Sequence, residues 1–267
     1  MIRARRYGQP PRRHALVHGG PGAPGMLGSL ARELASEGAG VLEPLQSARS
    51  IDGQVEELAD TLRDEHRGPW TLIGSSWGGM LAVFTAQRHP GLIDRIVLVG
   101  CAPFDADGGV RTDAARRMRM GPAQLEEFDR LEMVVGGADP AAAAAAFART
   151  ADLLVAVDHH HPTVDHLEVI AHQRAVFTAV WGEVEQRRRA GTLLDAGHAL
   201  RCPVVVIHGR YDPHPLDGVL TPLRAIAAEL TVHGLEDCGH LPWIERDARA
   251  RFLDVLWVAA DLTPNRR

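Results

Sequence analysis

The chain has 267 residues, 45% of them hydrophobic and 24% charged. That is enough for one large core, or a core with a modest second lobe, and it excludes disordered, collagen-like and disulfide-scaffold classes. A net charge of −5 gives no pull toward nucleic acid, and no apolar run approaches the roughly 20 residues that span a bilayer, so neither nucleic acid nor membrane is expected as a partner.

All 29 basic residues are arginine. Without lysine, a pyridoxal Schiff base, a P-loop lysine and a Ser-x-x-Lys pair are impossible. Three scattered cysteines, Cys101, Cys202 and Cys238, fit a reducing cytoplasm. The five arginines within Met1–Arg13 do not read as a secretory signal, and this stretch is expected to be a mobile arm.

Beyond the arm, short β-rich runs alternate with helical stretches, the pattern of an α/β fold with a mostly parallel sheet flanked by helices. Ala15–His18 is the first predicted strand, followed by a glycine loop and a helix over Met26–Ser36. Val41–Leu45 is the second strand. Asp52 then caps a helix to about His66, with Val55, Leu58, Ala59 and Leu62 on one face. Trp70–Gly74 is the third strand and Gly78–Arg88 its helix, and Ile93–Val99 is apolar enough to be buried on both sides.

From about Phe104 to Ala199 the pattern is helical only, over Arg111–Met120, Ala123–Val135, Pro140–Arg149 and Val164–Val180. Asp139 before Pro140 marks a clear helix start. A structureless stretch of that length is implausible, so residues 104–198 read as a helical cap inserted into a core made of 1–103 and 199–267. The core resumes with a strand at Val204–His208, a helix over Val219–Ala228, a strand at Leu230–His233 and a closing helix, Ala248–Val258. Phe252, Leu256 and Trp257 give that last helix an apolar stripe for the core.

Gly74-Ser75-Ser76-Trp77-Gly78-Gly79 carries the strongest chemical signal. A G-x-S-x-G sequence between strand and helix makes a sharp turn that lifts its central serine above the sheet. The Trp77 amide, at the helix start, then points where negative charge would develop on a substrate oxygen. A serine hydroxyl needs a base, and the base needs an orienting acid. His240, in EDCGHLPWIE, and Asp212, in VIHGRYDPHP, both follow predicted strands, at the edge where open α/β sheets hold ligands. The order Ser76, Asp212, His240 is the one expected of such a site. Asp105, Asp107 and Asp217 are reserve candidates for the acid. His18-Gly19-Gly20-Pro21-Gly22 closes the first strand, and the Gly20 amide is a candidate second oxyanion donor.

Taken together, HGGPG, GSSWGG and the Asp212 and His240 loops resemble an α/β-hydrolase, most closely the proline iminopeptidase-like branch. The resemblance spans nearly the whole chain except the insertion, which sits where that family carries its helical cap. It implies Ser76 as nucleophile, His240 as base, Asp212 as orienting acid and the Gly20 and Trp77 amides as oxyanion hole. The implied activity is hydrolysis of a small ester, thioester, lactone or amide through an acyl-enzyme, aminopeptidase-like in this branch, with a small acyl or peptide substrate and no metal or organic cofactor. Family members usually have two more strands before the HGGPG strand, so the sheet is expected to be shortened at its N-terminal end. Iminopeptidases hold the substrate's amino group with cap acids; Glu126, Glu127, Glu132, Asp152, Asp158, Asp165 and Glu168 are available here without one standing out.

A rival reading takes Gly20, Gly22 and Gly25 as a G-x-G-x-x-G loop with Glu43 as a ribose-binding acid, making a nicotinamide-dinucleotide oxidoreductase. Pro21 and Pro24 remove two amides from the loop that would cradle a pyrophosphate. A hydrolase-fold protein that binds a ligand without turnover is a third reading. His159, His160, His161, His166 and His172 lack metal-binding spacing and read as surface or cap histidines, one of which could line the pocket. Cys238 reads as a small buried residue and Arg187–Arg189 as a solvated helix face. No feature of the sequence speaks to oligomeric state.

Overall fold

A computed structural model describes residues 3–66, 68–164, 167–194 and 197–262. Its seven strands are β1 (Ala4–Tyr7), β2 (His14–Val17), β3 (Val41–Pro44), β4 (Trp70–Ser75), β5 (Ile93–Val99), β6 (Val204–Gly209) and β7 (Leu230–Leu235). They form one sheet in the order β1-β3-β2-β4-β5-β6-β7, parallel except for β1, which pairs antiparallel with β3. The chain winds one way from β2 to β3 and the other way from β4 onward. That reversal opens a crevice at the carboxyl ends of β2 and β4, where the HGGPG and GSSWGG segments begin.

Period-two alternation sends successive strand residues to opposite faces. Ala15, Val17, Leu72, Ile96 and Leu98 pack on one side with helices α2 (Ile51–Glu65) and α3 (Trp77–Arg88). Leu16, Ile73, Val97 and Val99 pack on the other with α1 (Gly28–Ser36) and the closing helix of the chain. The cap of α2 is Ser50, whose side chain accepts from Gly53 N, and not Asp52, which lies inside the first turn.

Four helices separate β5 from β6: α4 (Ala106–Arg119), α5 (Pro122–Val135), α6 (Pro140–Asp158) and α7 (Arg174–Arg189). The core then adds α8 (Leu216–Arg224) and α9 (Arg249–Ala259). α6 runs nine residues past the expected Arg149, because Leu153 and Val157 still find an apolar partner in Met120. By length and composition alone α6 could cross a bilayer; here it lies against α5, and its last residue, Asp158, is held by Arg116. The helix expected at Val164–Val180 begins only at Arg174. Of its first part, Asp165 and His166 lie outside the described residues. The stretch before Arg174 is instead tied to core loops: Thr163 N donates to Ile244 O, Ile170 N to Pro24 O and Gln173 N to Gly22 O.

The first residues are also not an arm. Ala4–Tyr7 is an edge strand whose arginines are paired: Arg6 and Arg12 with Glu65, and Arg5 with the buried Glu43. One of the two strands expected to be missing before the HGGPG strand is therefore present.

Candidate active site

Ser76 joins β4 to α3 at φ 54° and ψ −119°, a backbone region that costs a non-glycine residue about 1–3 kcal/mol. The turn is over-determined. Ser76 N donates to Val99 O at 3.0 Å, and Gly79 N donates back to Ser76 O at 3.0 Å. A Cβ on Gly74 would lie 2.3 Å from Gly78 O, and one on Gly78 would lie 2.0 Å from Val17 O. Only glycine lets strand, turn and helix close this tightly, and the closure pushes the serine hydroxyl out over the sheet.

Asp212, just past β6, and His240, past β7, meet beside this turn. His240 Nδ1 lies 2.9 Å from Asp212 Oδ2, with both side chains buried. Asp212 Oδ1 accepts from His214 N at 3.0 Å and from His214 Nδ1 at 2.7 Å. His208 Nε2 is 3.7 Å from Oδ2, and its hydrogen bond goes to the carbonyl of His214 at 2.9 Å. Burial works against charge on Asp212, but the imidazoles of His240, His214 and His208 outweigh it and hold the carboxyl well below its ordinary range. For His240, burial favours the neutral ring; Asp212 overrides it and raises the group above its ordinary 6.5. His214, stacked on His240 with ring centroids 4.3 Å apart, is pushed down to about 4, chiefly by burial. One carboxylate thus secures two imidazoles, of which His240 is the more readily protonated. Sequence reading found Asp212 and His240 and missed His214, whose only signal is its place two residues past the acid.

The His240 loop is fixed by its neighbours. His240 N donates to Asp158 O at 2.9 Å, and a Cβ on Gly100 (φ +51°) would meet His240 O at 2.2 Å. Glu245, fully buried, accepts from Gly239 N at 2.6 Å and from His160 N and His161 N at 2.8 Å each. Its role was not anticipated.

At the end of β2, Gly20 has φ +111°, and Gly19 packs so close that a Cβ on it would lie 3.1 Å from Ser76 Cβ. Among the described residues, no acceptor takes the amide of Gly20 or of Trp77, whereas Gly19 N already donates to Met26 Sδ at 3.2 Å. Both expected oxyanion donors are thus uncommitted beside Ser76. The Trp77 side chain is anchored away from the turn by Gln54 Oε1 at 2.8 Å. His18 is structural: its Nε2 accepts from Gln46 N and its Nδ1 donates to Gly19 O, while burial pushes it down to about 4.

Ser76, His240 and Gly20 open onto one cavity of about 480 Å³. Its far wall comes from α4–α7 and is largely apolar, with Phe128, Phe147, Phe177 and Trp181. Phe147 and Phe177 have ring centroids 4.9 Å apart, and Phe177 stacks on Trp181 at 6.1 Å. Of the candidate acids of the insertion, Glu132, Asp152 and Asp158 reach the cavity, joined by Asp113, which was passed over. Asp158 is neutralised by a bidentate Arg116 at 2.9 and 2.6 Å, and Glu132 is paired with Arg117 at 2.8 Å. Asp113 and Asp152 have no basic partner within ion-pair distance among the described residues. Glu127 pairs with Arg149, Glu168 pairs with Arg32, Glu126 is exposed, and Asp165 is outside the described residues.

The sequence profile of the alpha/beta hydrolase fold family matches residues 49–247. This chain is an α/β-hydrolase. A probable proline iminopeptidase from Streptomyces coelicolor (strain ATCC BAA-471 / A3(2) / M145) is 34% identical over 103 residues, covering 33% of this chain. That match covers 32% of the relative, so the chain aligns with about a third of its length. Among solved structures, VinJ superposes with a TM-score of 0.64 at 21% identity, over 96% of this chain and 94% of that one. A thermophilic esterase from Thermogutta terrifontis gives 0.59 at 19% identity, over 96% and 92%. At such identities the two structures speak to the fold.

Within the α/β-hydrolase the other candidates fall elsewhere. Asp105 caps α4 through Gly108 N at 2.6 Å, and Asp107 and Asp217 are exposed partners of Arg111. The dinucleotide reading meets two obstacles. Glu43 is fully buried and bonded by Tyr7 Oη at 2.9 Å, so it faces no ribose. The glycine loop is also engaged by the insertion: Gln173 N donates to Gly22 O, and a Cβ on Gly22 would lie 2.7 Å from Gln173 O. Cys238 is buried and burial raises its thiol far above the ordinary range, as expected of a packing residue. His159 and His172 line the cavity; His166 lies outside the described residues.

Proposed function

We propose that this α/β-hydrolase is a serine hydrolase that cleaves a small ester, thioester, lactone or amide through an acyl-enzyme. The observation that carries the reading is the Asp212–His240 contact beside a serine held at φ 54° in the same cavity. Ser76 attacks the substrate carbonyl while His240 Nε2 accepts its proton; the bond from carbonyl carbon to the leaving group then breaks, and the proton passes to that group. Water, deprotonated by the same nitrogen, attacks the acyl carbon and releases Ser76. Asp212 fixes the His240 tautomer, because its carboxylate requires a hydrogen on Nδ1 and so leaves Nε2 bare. The amides of Gly20 and Trp77 receive the oxyanion, each contributing about 2.7–4 kcal/mol to the barrier reduction. No metal or organic cofactor enters this chemistry.

Residues 104–198 act in this reading as a cap that selects the substrate. The carboxylates of Asp113 and Asp152, which have no ion-pair partner among the described residues, lie in a largely apolar wall and favour an acyl group carrying a cation, such as the free amine of an N-terminal residue. The partial likeness to a probable proline iminopeptidase supports the same preference. A reducing, cytoplasmic setting is in keeping with three free, buried cysteines.

A fluorophosphonate probe tests the mechanism. Stoichiometric labelling of the wild type, lost in Ser76→Ala and His240→Ala, is the expected result. No labelling of folded wild-type protein would sink the mechanism and favour a ligand-binding role.

A further inference from the structure

The histidine run set aside in the sequence acquires a partner in the fold. Asp247, 86 residues away from His161, comes to lie beside it, with His161 Nδ1 and Asp247 Oδ2 2.6 Å apart. The rings of His160 and His161 are 4.3 Å apart at 45°. One donor atom from each of the three residues lies within 4.8 Å of the others. His160 Nδ1 is buried and has no hydrogen-bond partner, an unsatisfied state that buried polar atoms seldom keep.

We propose that His160, His161 and Asp247 form a binding site for a divalent transition cation of the zinc, nickel and copper class. Two imidazole nitrogens and one carboxylate oxygen suit such borderline cations, whereas calcium and magnesium demand shells of oxygen. His161 and Asp247 are exposed, so a cation can enter from solvent and keep a water as its fourth ligand. The backbone beneath is already hydrogen-bonded in place. Glu245 accepts from both His160 N and His161 N, and Arg246 N donates to His161 O at 2.9 Å. Binding therefore orders side chains alone, which keeps its entropic cost small.

The position gives the site a consequence. His160 and His161 end the α6 arm of the insertion, and Asp247 follows the loop that carries His240. A bound cation cross-links the two at the joint that Glu245 already closes. Among the described residues the other group of similar compactness, Asp212, His214 and His240, is buried, and both Nδ1 atoms are committed to its carboxylate. It belongs to the site described above.

The test is calorimetric titration of tag-free protein with zinc chloride, using wild type, Asp247→Asn, His161→Ala and His240→Ala. We expect saturation at one equivalent in wild type and His240→Ala, and binding weakened about tenfold or more in the other two variants. Zinc should raise the thermal midpoint of the wild type and leave that of Asp247→Asn unmoved. Both altered ligands are exposed, so matching circular dichroism without zinc shows that the fold is intact. The proposal is overturned by the absence of saturable binding, by equal binding in Asp247→Asn, or by loss in His240→Ala alone. The readout is binding, so the result is independent of whether Ser76 is a nucleophile.

Discussion

On the sheet side of the cavity, backbone is set against backbone. Gly78 lies against β2 so closely that a Cβ would stand 2.0 Å from Val17 O, and Gly100 stands as close to His240 O. Among the helices of the insertion, long side chains do much of the holding. Arg116 grips Asp158, Arg117 reaches Asp129 and Glu132, Arg119 bonds Val157 O, and the insertion's own small apolar cluster is Met120, Leu153 and Val157 with their partly buried neighbours. Backbone contact admits one residue type and one geometry, which suits reacting groups that tolerate little displacement. Side-chain pairing admits many solutions, so in the proposed reading this wall can vary its specificity without disturbing Ser76, His240 and Asp212.

The largest expected effect tests the sheet side. Asp212→Asn keeps the shape of the contact but removes the charge that fixes the His240 tautomer, and turnover should fall about 10⁴-fold with the fold intact. Steady-state rates with a chromogenic ester measure it. A loss of tenfold or less would mean that His240 is oriented by its stacked neighbour His214, and the comparison would have to be redrawn.

Next comes the glycine itself. Gly78→Ala should destabilise the chain by about 4 kcal/mol, the exceptional end for a single substitution, because the obstructing atoms are the backbone oxygens of Val17 and His18. Urea unfolding decides. A variant within about 1 kcal/mol of wild type would show that β2 can yield, against the rigid side of the comparison.

These contrasts also explain what could be read without coordinates. Gly74, Gly78 and Gly20 were legible because each position excludes nearly every other residue, and Ser76 because it stands in the turn that two of them close. Asp212 and His240 were legible because they follow strands of a recognisable pattern. Edge strand β1 was not: with only Ala4 buried along ARRY, it lacks an apolar face, and its arginines are explained only by Glu65 and Glu43 from distant elements. The start of α7 was missed because the preceding segment is shaped by bonds to Gly22, Pro24 and Ile244 and not by its own periodicity. Asp113, His214 and Glu245 are ordinary residues whose roles arise wholly from tertiary contact.

A third prediction breaks the insertion side at its strongest pair. Arg116→Met leaves the Asp158 carboxylate buried without a counter-charge and should destabilise the fold by about 3 kcal/mol. Arg116→Met with Asp158→Leu removes both charges and should recover most of that loss. Denaturation of these two variants together with Asp158→Leu alone closes the cycle. If the double variant is no better than Arg116→Met alone, the pair holds the insertion by more than charge compensation.

The most gradual effect, at most about 1.4 kcal/mol per pH unit for each group, runs in opposite directions for activity and for stability. In the proposed mechanism His240 must be neutral to accept the serine proton, and Asp212 raises it above 6.5, so kcat/KM should fall with acidification through a midpoint above 6.5. The same raised group contributes stability that is complete below 6.5 and is lost as pH rises through its folded value. His18 and His214, both buried and pushed down to about 4, carry the reverse sign: their contribution is full above 6.5 and is lost as pH falls toward 4. Stability should therefore peak near pH 6.5, on the acid side of the activity midpoint. A pH–rate profile beside urea midpoints at matched pH measures both curves. An activity midpoint at or below 6.5 would mean that Asp212 does not hold His240 as the short contact implies, and that the sheet side is less fixed than the insertion it faces.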